Sequence, residues 1–266
     1  MKKFLYLLTM LATWSIADQP IMNMMPRWDG GYGYQIFYET TERDGLYFGN
    51  EIFKKDLNES IQQVQVEGVY TWDRSIRLTA KLPMVLDAER ANWINGKKEI
   101  QKDKGVGDLT LALPLKKYFN LLKRTGSWTF APQVRIPLGS KDEYEVADRL
   151  WGGALFLGYE TETRLGFFSA GVSHWMFESE KPSQLHAAVD IGWNFKDNAQ
   201  ILWETDYHTE SEGKEYLSVG PALYWRENDN THIRLEYDHI SRASASKGVY
   251  DHVGGSRIKI GVGFVY

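Results

Sequence analysis

Arg257-Ile258-Lys259-Ile260-Gly261-Val262-Gly263-Phe264-Val265-Tyr266 alternates strictly between two kinds of position. Ile258, Ile260, Val262, Phe264 and Tyr266 are apolar, and Arg257, Lys259, Gly261, Gly263 and Val265 lie between them. Successive side chains of a strand point to opposite faces. One face of this segment is therefore wholly apolar and the other mixed, the signature of a half-buried strand.

The same alternation recurs upstream. Val64, Val66, Tyr70 and Trp72 alternate with Gln63, Gln65, Glu67 and Thr71; Leu185, Ala187, Val189, Ile191, Trp193 and Phe195 alternate with His186, Asp190 and Asn194. Working outward in this way predicts twelve strands, at about 31–40, 60–72, 76–86, 107–118, 127–138, 149–160, 164–176, 184–195, 199–209, 215–226, 231–240 and 256–266. Strand 164–176 is ambiguous. Leu165, Phe167 and Trp175 on one parity compete with Phe168, Ala170 and Val172 on the other, and a bulge would reconcile them.

Most of these strands exceed the ~5–6 residues of an average globular strand. They match the ~9–11 residues that a tilted strand needs to cross a bilayer core. The connections alternate long and short, and the short ones are turn-like: Asp73-Arg74-Ser75, Thr161-Glu162-Thr163, Lys196-Asp197-Asn198 and Glu227-Asn228-Asp229-Asn230. An even number of antiparallel strands with short periplasmic turns and long external loops is the grammar of an outer-membrane barrel. Aromatics such as Tyr32, Tyr34, Tyr70, Trp72, Trp128, Trp151, Trp193 and Tyr237 share the apolar parity near strand ends, where interfacial girdles lie. The fold class expected is all-β, a 12-stranded antiparallel transmembrane β-barrel over 31–266.

Composition agrees. The chain has 266 residues, 25% charged, 14% aromatic, no Cys and a formal charge of −4. That charged fraction argues against helical membrane spans, and the aromatic content argues against disorder. A slightly acidic chain carries no footprint for nucleic acid. The absence of Cys removes disulfide frameworks and thiolate metal sites.

Lys2 and Lys3, the apolar run Phe4 to Trp14 and the small residues Ser15 and Ala17 predict a secretory signal peptide over 1–17. Residues 18–30 are then a periplasmic N-terminal segment. Export and the strand pattern together place the chain in the outer membrane of a Gram-negative bacterium, with outer-membrane lipid as its surroundings.

If the apolar parity faces lipid, the other faces the lumen. Its acids are Glu39, Glu67, Asp108, Glu160, Asp190, Glu204, Asp206, Glu236 and Asp238. Its bases are Arg77, Lys81, Lys116, Arg135, Arg226, Arg234, Arg257 and Lys259. Near balance has two readings. Mutually paired charges can fill a narrow or closed barrel, because unpaired buried charge is costly. Alternatively a polarised channel sets bases on strands three to five against Glu204 and Asp206 on strand nine. Arg77, Lys81, Arg135, Glu160, Asp190, Glu204, Asp206, Arg234, Glu236 and Arg257 are the candidate lumen-lining residues. Phe37 and Phe156 share their parity and would either line a path for an apolar solute or fill space. The charged external loops, among them 87–106, are solvated surface or an inward constriction.

Catalytic and metal signals are weak. His239-Ile240-Ser241 places a His and a Ser on one parity, as a base–nucleophile pair of a lipid deacylase would be, but Arg242 follows and Asp251 is the sole later acid. The six histidines show no short metal-ligand spacing, and no cofactor is expected.

Gly105-Val106-Gly107-Asp108-Leu109-Thr110-Leu111, then Lys116-Lys117-Tyr118, then Ala131-Pro132-Gln133-Val134-Arg135-Ile136-Pro137-Leu138-Gly139-Ser140, resembles outer-membrane transporters linked to meta-pathway phenol degradation. The resemblance covers about residues 105–225, and Arg135-Ile136-Pro137-Leu138-Gly139 departs from the family form at its first, second and fourth positions. It implies an outer-membrane barrel passing small apolar or aromatic solutes. The terminal strand, ending on the aromatic Tyr266, resembles the signal read by the barrel assembly machinery. The functions carried forward are passive passage or uptake of a small solute, a sealed structural or surface-binding barrel, and a lipid-modifying hydrolase.

Overall fold

The structure, a computed structural model, describes residues 30–48, 51–121, 124–138, 149–178, 182–196, 198–210, 215–244, 250–252 and 254–266. The signal-peptide segment and nearly all of 18–30 lie outside the described residues.

The chain folds as an antiparallel meander. Strand β1 (Gly31–Arg43) is followed by the short β2 (Leu46–Phe48) and β3 (Glu51–Lys54), then by β4 (Glu59–Asp73), β5 (Ile76–Ile94) and β6 (Lys97–Val106). Next come β7 (Leu109–Ala112), β8 (Leu115–Leu121), β9 (Arg124–Ile136), β10 (Gly152–Glu162), β11 (Gly166–Phe177) and β12 (Gln184–Lys196). The chain ends through β13 (Ala199–Glu210), β14 (Glu215–Asn228), β15 (Thr231–Ser244), β16 (Tyr250–His252) and β17 (Gly255–Val265).

Each wall strand pairs with its neighbours in sequence, and β1 pairs with β17 from Gly33↔Val265 to Glu42↔Ser256, so the sheet closes on itself. Together β7 and β8 are one wall strand: Thr79↔Ala112 and Ile76↔Leu115 share one register, and the ladder lapses only around Pro114, which has no N–H to give. The wall therefore has twelve strands, as the periodicity indicates. Tyr266 N donates to Tyr32 O at 2.9 Å, Tyr32 N donates to Tyr266 O at 3.2 Å, and the two rings stack at 5.4 Å across the closing seam.

The short turns are held by side-chain oxygens. Asp73 Oδ1 accepts from the amides of Ser75 (2.6 Å) and Ile76 (3.1 Å), and Asn228 Oδ1 accepts from Asn230 N (2.9 Å). Asp and Asn suit such turns because their side chains imitate a backbone carbonyl.

The outward parity forms a continuous apolar belt. Ile36, Leu78, Leu115, Phe130, Leu157, Val172, Val189, Ile201, Leu235 and Ile260 are all exposed, with Tyr32, Tyr70, Trp72, Trp128, Trp151 and Trp193 among them. An exterior this apolar, around every strand, is the surface of a membrane-spanning barrel. In β11 the outward side chains are Phe168, Val172 and Met176, while Phe167 and Trp175 are buried inside. Its ladders to β10 and β12 run without a register shift, so no bulge is needed. The parity was ambiguous because the lumen here accepts two large aromatics, and Leu165 belongs to the turn before the strand.

Segment 87–106 is a strand hairpin. Val85 to Ile94 of β5 pairs with β6 above the barrel rim, around a tip at Asn95 (φ 50) and Gly96 (φ 80). Positive φ at both central residues is the tight-turn geometry whose twist matches a hairpin. A separate three-stranded sheet, in the order β16, β2, β3, joins the last external loop to the first. It packs on the hairpin. Leu46, Leu57 and Ala91 are buried together against Trp93, and Lys54 Nζ sits 2.9 Å over the Trp93 ring. His252 ties all three pieces: Nδ1 is 3.2 Å from Gly45 O, Nε2 is 3.3 Å from Asn92 Oδ1, and Arg43 donates to its carbonyl at 3.2 Å. These loops form a packed cap at the external rim.

Candidate functional site

The lumen is the site, and its two sides differ. On one side, formed by β13, β14, β15, β17 and β1, most uncharged inward side chains are buried, and Glu204, Asp206, Arg234, Arg257 and Lys259 keep partial access. On β1, Gln35, Phe37, Glu39 and Thr41 are all buried, as are Leu202 on β13, Ser218, Ala222 and Tyr224 on β14, and His232, Glu236 and Asp238 on β15. Phe37, Phe167, Leu202, Ala222 and Tyr224 form one apolar cluster inside the barrel. Phe37 lies directly over Gly261, where a side chain's first carbon would meet its ring at 2.2 Å. Glycine is required there because the ring occupies the space.

Charges on this side are paired with near neighbours. Arg234 contacts Glu204 at 3.2 Å and also Glu236; Lys259 is 3.7 Å from Glu236; Tyr224 donates to Glu204 at 3.1 Å. Lys259 Nζ lies 4.2 Å and the Arg234 guanidinium 5.7 Å from the Phe37 ring centre. Toward the external end, Arg257 pairs with Asp238 at 2.7 Å, and Gln63 donates to Glu39 at 2.9 Å. Low accessibility, ring-over-glycine contact and mutual pairing together fill this half of the barrel.

On the other side, β9 to β12 carry many small inward residues: Thr129, Ala131, Ser169, Gly171, Ser173, Ala188. All of these except Ala131 keep solvent access, as do Phe156, Glu160, His186 and Asp190. On β5 the Lys81 side chain is 51% exposed, 3.7 Å from Glu67. The Phe156 ring lies over Gly158 and Gly171, where an added methyl would meet it at 2.7 and 2.6 Å. Arg135 spreads over Trp175 and Phe177, 4.9 and 5.0 Å from their centres, and those rings stack at 6.0 Å. A cation on an aromatic face is held without giving up its charge.

The ten candidate residues fall as follows. Arg77, fully buried on β5, donates to Tyr118 Oη at 3.4 Å. Lys81 and Arg135 are placed as above. Glu160 accepts from Lys116 at 3.0 Å and Ser127 at 2.6 Å, and Asp190 accepts from Ser169 at 2.5 Å. Glu204, Arg234 and Glu236 form the central cluster. Arg257 pairs with Asp238, and Asp206 lies within the field of Arg257, Glu204 and Asp238. Pairing thus runs between neighbouring strands more than from wall to wall. Phe37 and Phe156 share a parity and differ in exposure: Phe37 is buried, and Phe156 keeps partial solvent access over Gly158 and Gly171. Tyr224 and Trp175 are lumen residues the sequence reading passed over, although parity with Ala222 and Phe167 places them inside.

His239 is exposed on the outer face, and Ser241 Oγ donates to Leu217 O at 3.1 Å, so the hydroxyl is engaged by backbone. The side chains of Arg242 and Asp251 lie outside the described residues.

Comparison with solved structures finds the same architecture. An outer membrane channel from Pseudomonas putida F1 superposes with a TM-score of 0.74, at 13% identity, over 90% of this chain and 96% of that one. The KdgM porin, solved with disordered oligogalacturonate, gives 0.54 at 10% identity over 88% of this chain and 99% of that one. The NanC porin gives 0.53 at 9% identity over 87% and 98%. No family model and no curated protein matches the chain. At these identities the likeness shows the fold alone, that of bacterial outer-membrane barrels, and an autotransporter β-domain matches it at a TM-score of 0.51 beside the channel and porins.

Proposed function

We propose that this barrel conducts small solutes passively across the outer membrane along the β5–β12 side of its lumen. The observation that carries the reading is the asymmetry of the interior. On the β13 to β1 side Phe37, Leu202, Ala222, Tyr224 and Glu236 are buried, whereas Lys81, Phe156, His186 and Asp190 on the other side keep solvent access. The likeness to an outer membrane channel and to porins supports it.

Chemistry along this side favours a small solute with an aromatic or apolar body and a negative charge. Phe156 offers an aromatic face, and Lys81 and Arg135 offer cations on the same side of the lumen. Paired lumen charge gives weak selectivity by sign alone. The barrel assembly machinery, reading the Tyr266 strand, is the partner we assign for insertion.

Single-channel recording of the refolded protein, with liposome swelling in benzoate against a neutral sugar of similar size, tests the reading. Discrete openings and faster benzoate entry are expected. A barrel shown folded by heat-modifiable gel mobility that neither conducts nor admits benzoate overturns it, and a sealed surface-binding barrel is then the better account.

A further inference from the structure

The outer face of the barrel carries a groove toward one end. Ladder register aligns Ile76, Leu115, Phe130 and Leu157 in a single row across β5, β8, β9 and β10. All four are exposed on the outward parity. With Trp128 they line a groove of about 400 Å³ beside the lapse in the ladder at Pro114, and Ser75 and Lys117 stand in its lining. Ser75 belongs to the short turn Asp73-Arg74-Ser75, and short turns face the periplasm.

The next row toward that end is Lys117, Trp128 and Tyr159, each opposite its neighbour in the ladders. The Trp128 and Tyr159 rings meet at 4.7 Å, and Tyr159 stacks on Phe119 at 5.9 Å. Aromatic clusters of this kind mark the depth of the lipid headgroups. On the outward parity of the periplasmic half of the wall, the strand cations among the described residues are Lys117 and Arg124, both on the β8–β9 hairpin. The adjacent Lys116 points inward and pairs with Glu160 at 3.0 Å; Lys117 is exposed and has no carboxylate partner among the described residues. Arg74, in the turn beside the groove, is held over the Tyr118 ring at 4.3 Å. A lysine on a lipid-facing parity is costly unless its ammonium reaches the headgroup layer, where phosphate is its natural counter-ion.

We propose that this groove retains one anionic phospholipid of the periplasmic leaflet, with its phosphate on Lys117 and an acyl chain along the row from Ile76 to Leu157. The apolar row takes the chain, and the unpaired lysine selects the charge. A phosphatidylglycerol headgroup fits better than a zwitterionic one, whose own ammonium opposes Lys117.

Native mass spectrometry of the full-length, detergent-folded protein, titrated with dioleoyl phosphatidylglycerol or dioleoyl phosphatidylcholine, tests this. It reads no conduction, so it stands apart from the passage reading. A one-lipid adduct is expected, favouring phosphatidylglycerol. Lys117→Gln should lower that preference about fivefold, and Lys117→Arg should keep it. Leu157→Trp, which fills the groove, should lower retention of both lipids; Leu157→Phe serves in its place if heat-modifiable mobility is lost. Lys102→Gln, on the exposed hairpin, should change neither. Equal retention of the two lipids by wild type, unchanged preference in Lys117→Gln, or a protein dimer in place of the lipid adduct overturns the assignment.

Discussion

The two halves of the lumen have the same strand geometry and the same inward parity, yet one is lined mostly by long, mutually paired side chains and the other by many small ones. On β1 and β14 the inward positions hold Phe37, Glu39, Ala222 and Tyr224, all buried. On β11 and β12 they hold Ser169, Gly171, Ser173 and Ala188, between which solvent reaches the wall. The difference is one of side-chain reach. A barrel of fixed strand number has a fixed interior. Rings lie over glycines on both sides, Phe37 over Gly261 and Phe156 over Gly158 and Gly171, but the neighbours of Phe37 are long and those of Phe156 include many small residues. Stability is expected to concentrate on the filled side, and the proposed path follows the other.

Substitutions can break that division. The largest effect is expected for Phe37→Ala. Removing a fully buried ring should cost about 4 kcal/mol in urea unfolding from detergent, the usual range for a core Phe. An unchanged unfolding midpoint would show that the packed side is not a core. Next is Arg234→Met, which leaves Glu236 and Glu204 without their shared cation; a loss of about 3 kcal/mol is expected by the same assay. The double variant Arg234→Met with Glu236→Leu should recover part of it, and failure to do so would deny their coupling.

On the accessible side the outcome reverses. Ala188→Trp should abolish or sharply reduce single-channel conductance while changing stability by less than about 1 kcal/mol. Full conductance in a folded Ala188→Trp protein would move the path elsewhere. The smallest effect is expected outside the barrel. Glu89 and Lys102 pair on the exposed hairpin, so Glu89→Gln should leave both unfolding and conductance unchanged within error. A clear change in either would give the hairpin a role in the mouth that its exposure does not suggest.

Much of this was legible in the residues. Period-two alternation locates the wall strands to within a few residues, because lipid outside and a polar interior impose opposite demands on alternate positions. The hairpin 87–106 reads as a loop in the sequence because above the membrane nothing enforces apolar parity; its signal is Asn95-Gly96, a tight-turn dipeptide. Strands β2, β3 and β16 are too short to show a period. Parity told which way Phe37 and Phe156 point and not how far they reach, so the unequal halves stayed hidden. His186 and His208, 22 residues apart, become neighbours only through the ladder between β12 and β13.

The cap at the external rim also bears on how the barrel closes. The Arg43–His252 contact spans 209 residues, and the β1–β17 seam beneath it is just as distant in sequence. Contacts so far apart carry the highest loop-closure cost and form late. Joining β16 to β2 clamps the seam from above, so reopening the wall there requires the cap to melt first. The cap thus acts as a latch on a kinetic step. Protease resistance of segment 44–58 in a refolding time course should appear together with seam closure, later than the hairpins that pair neighbours along the chain.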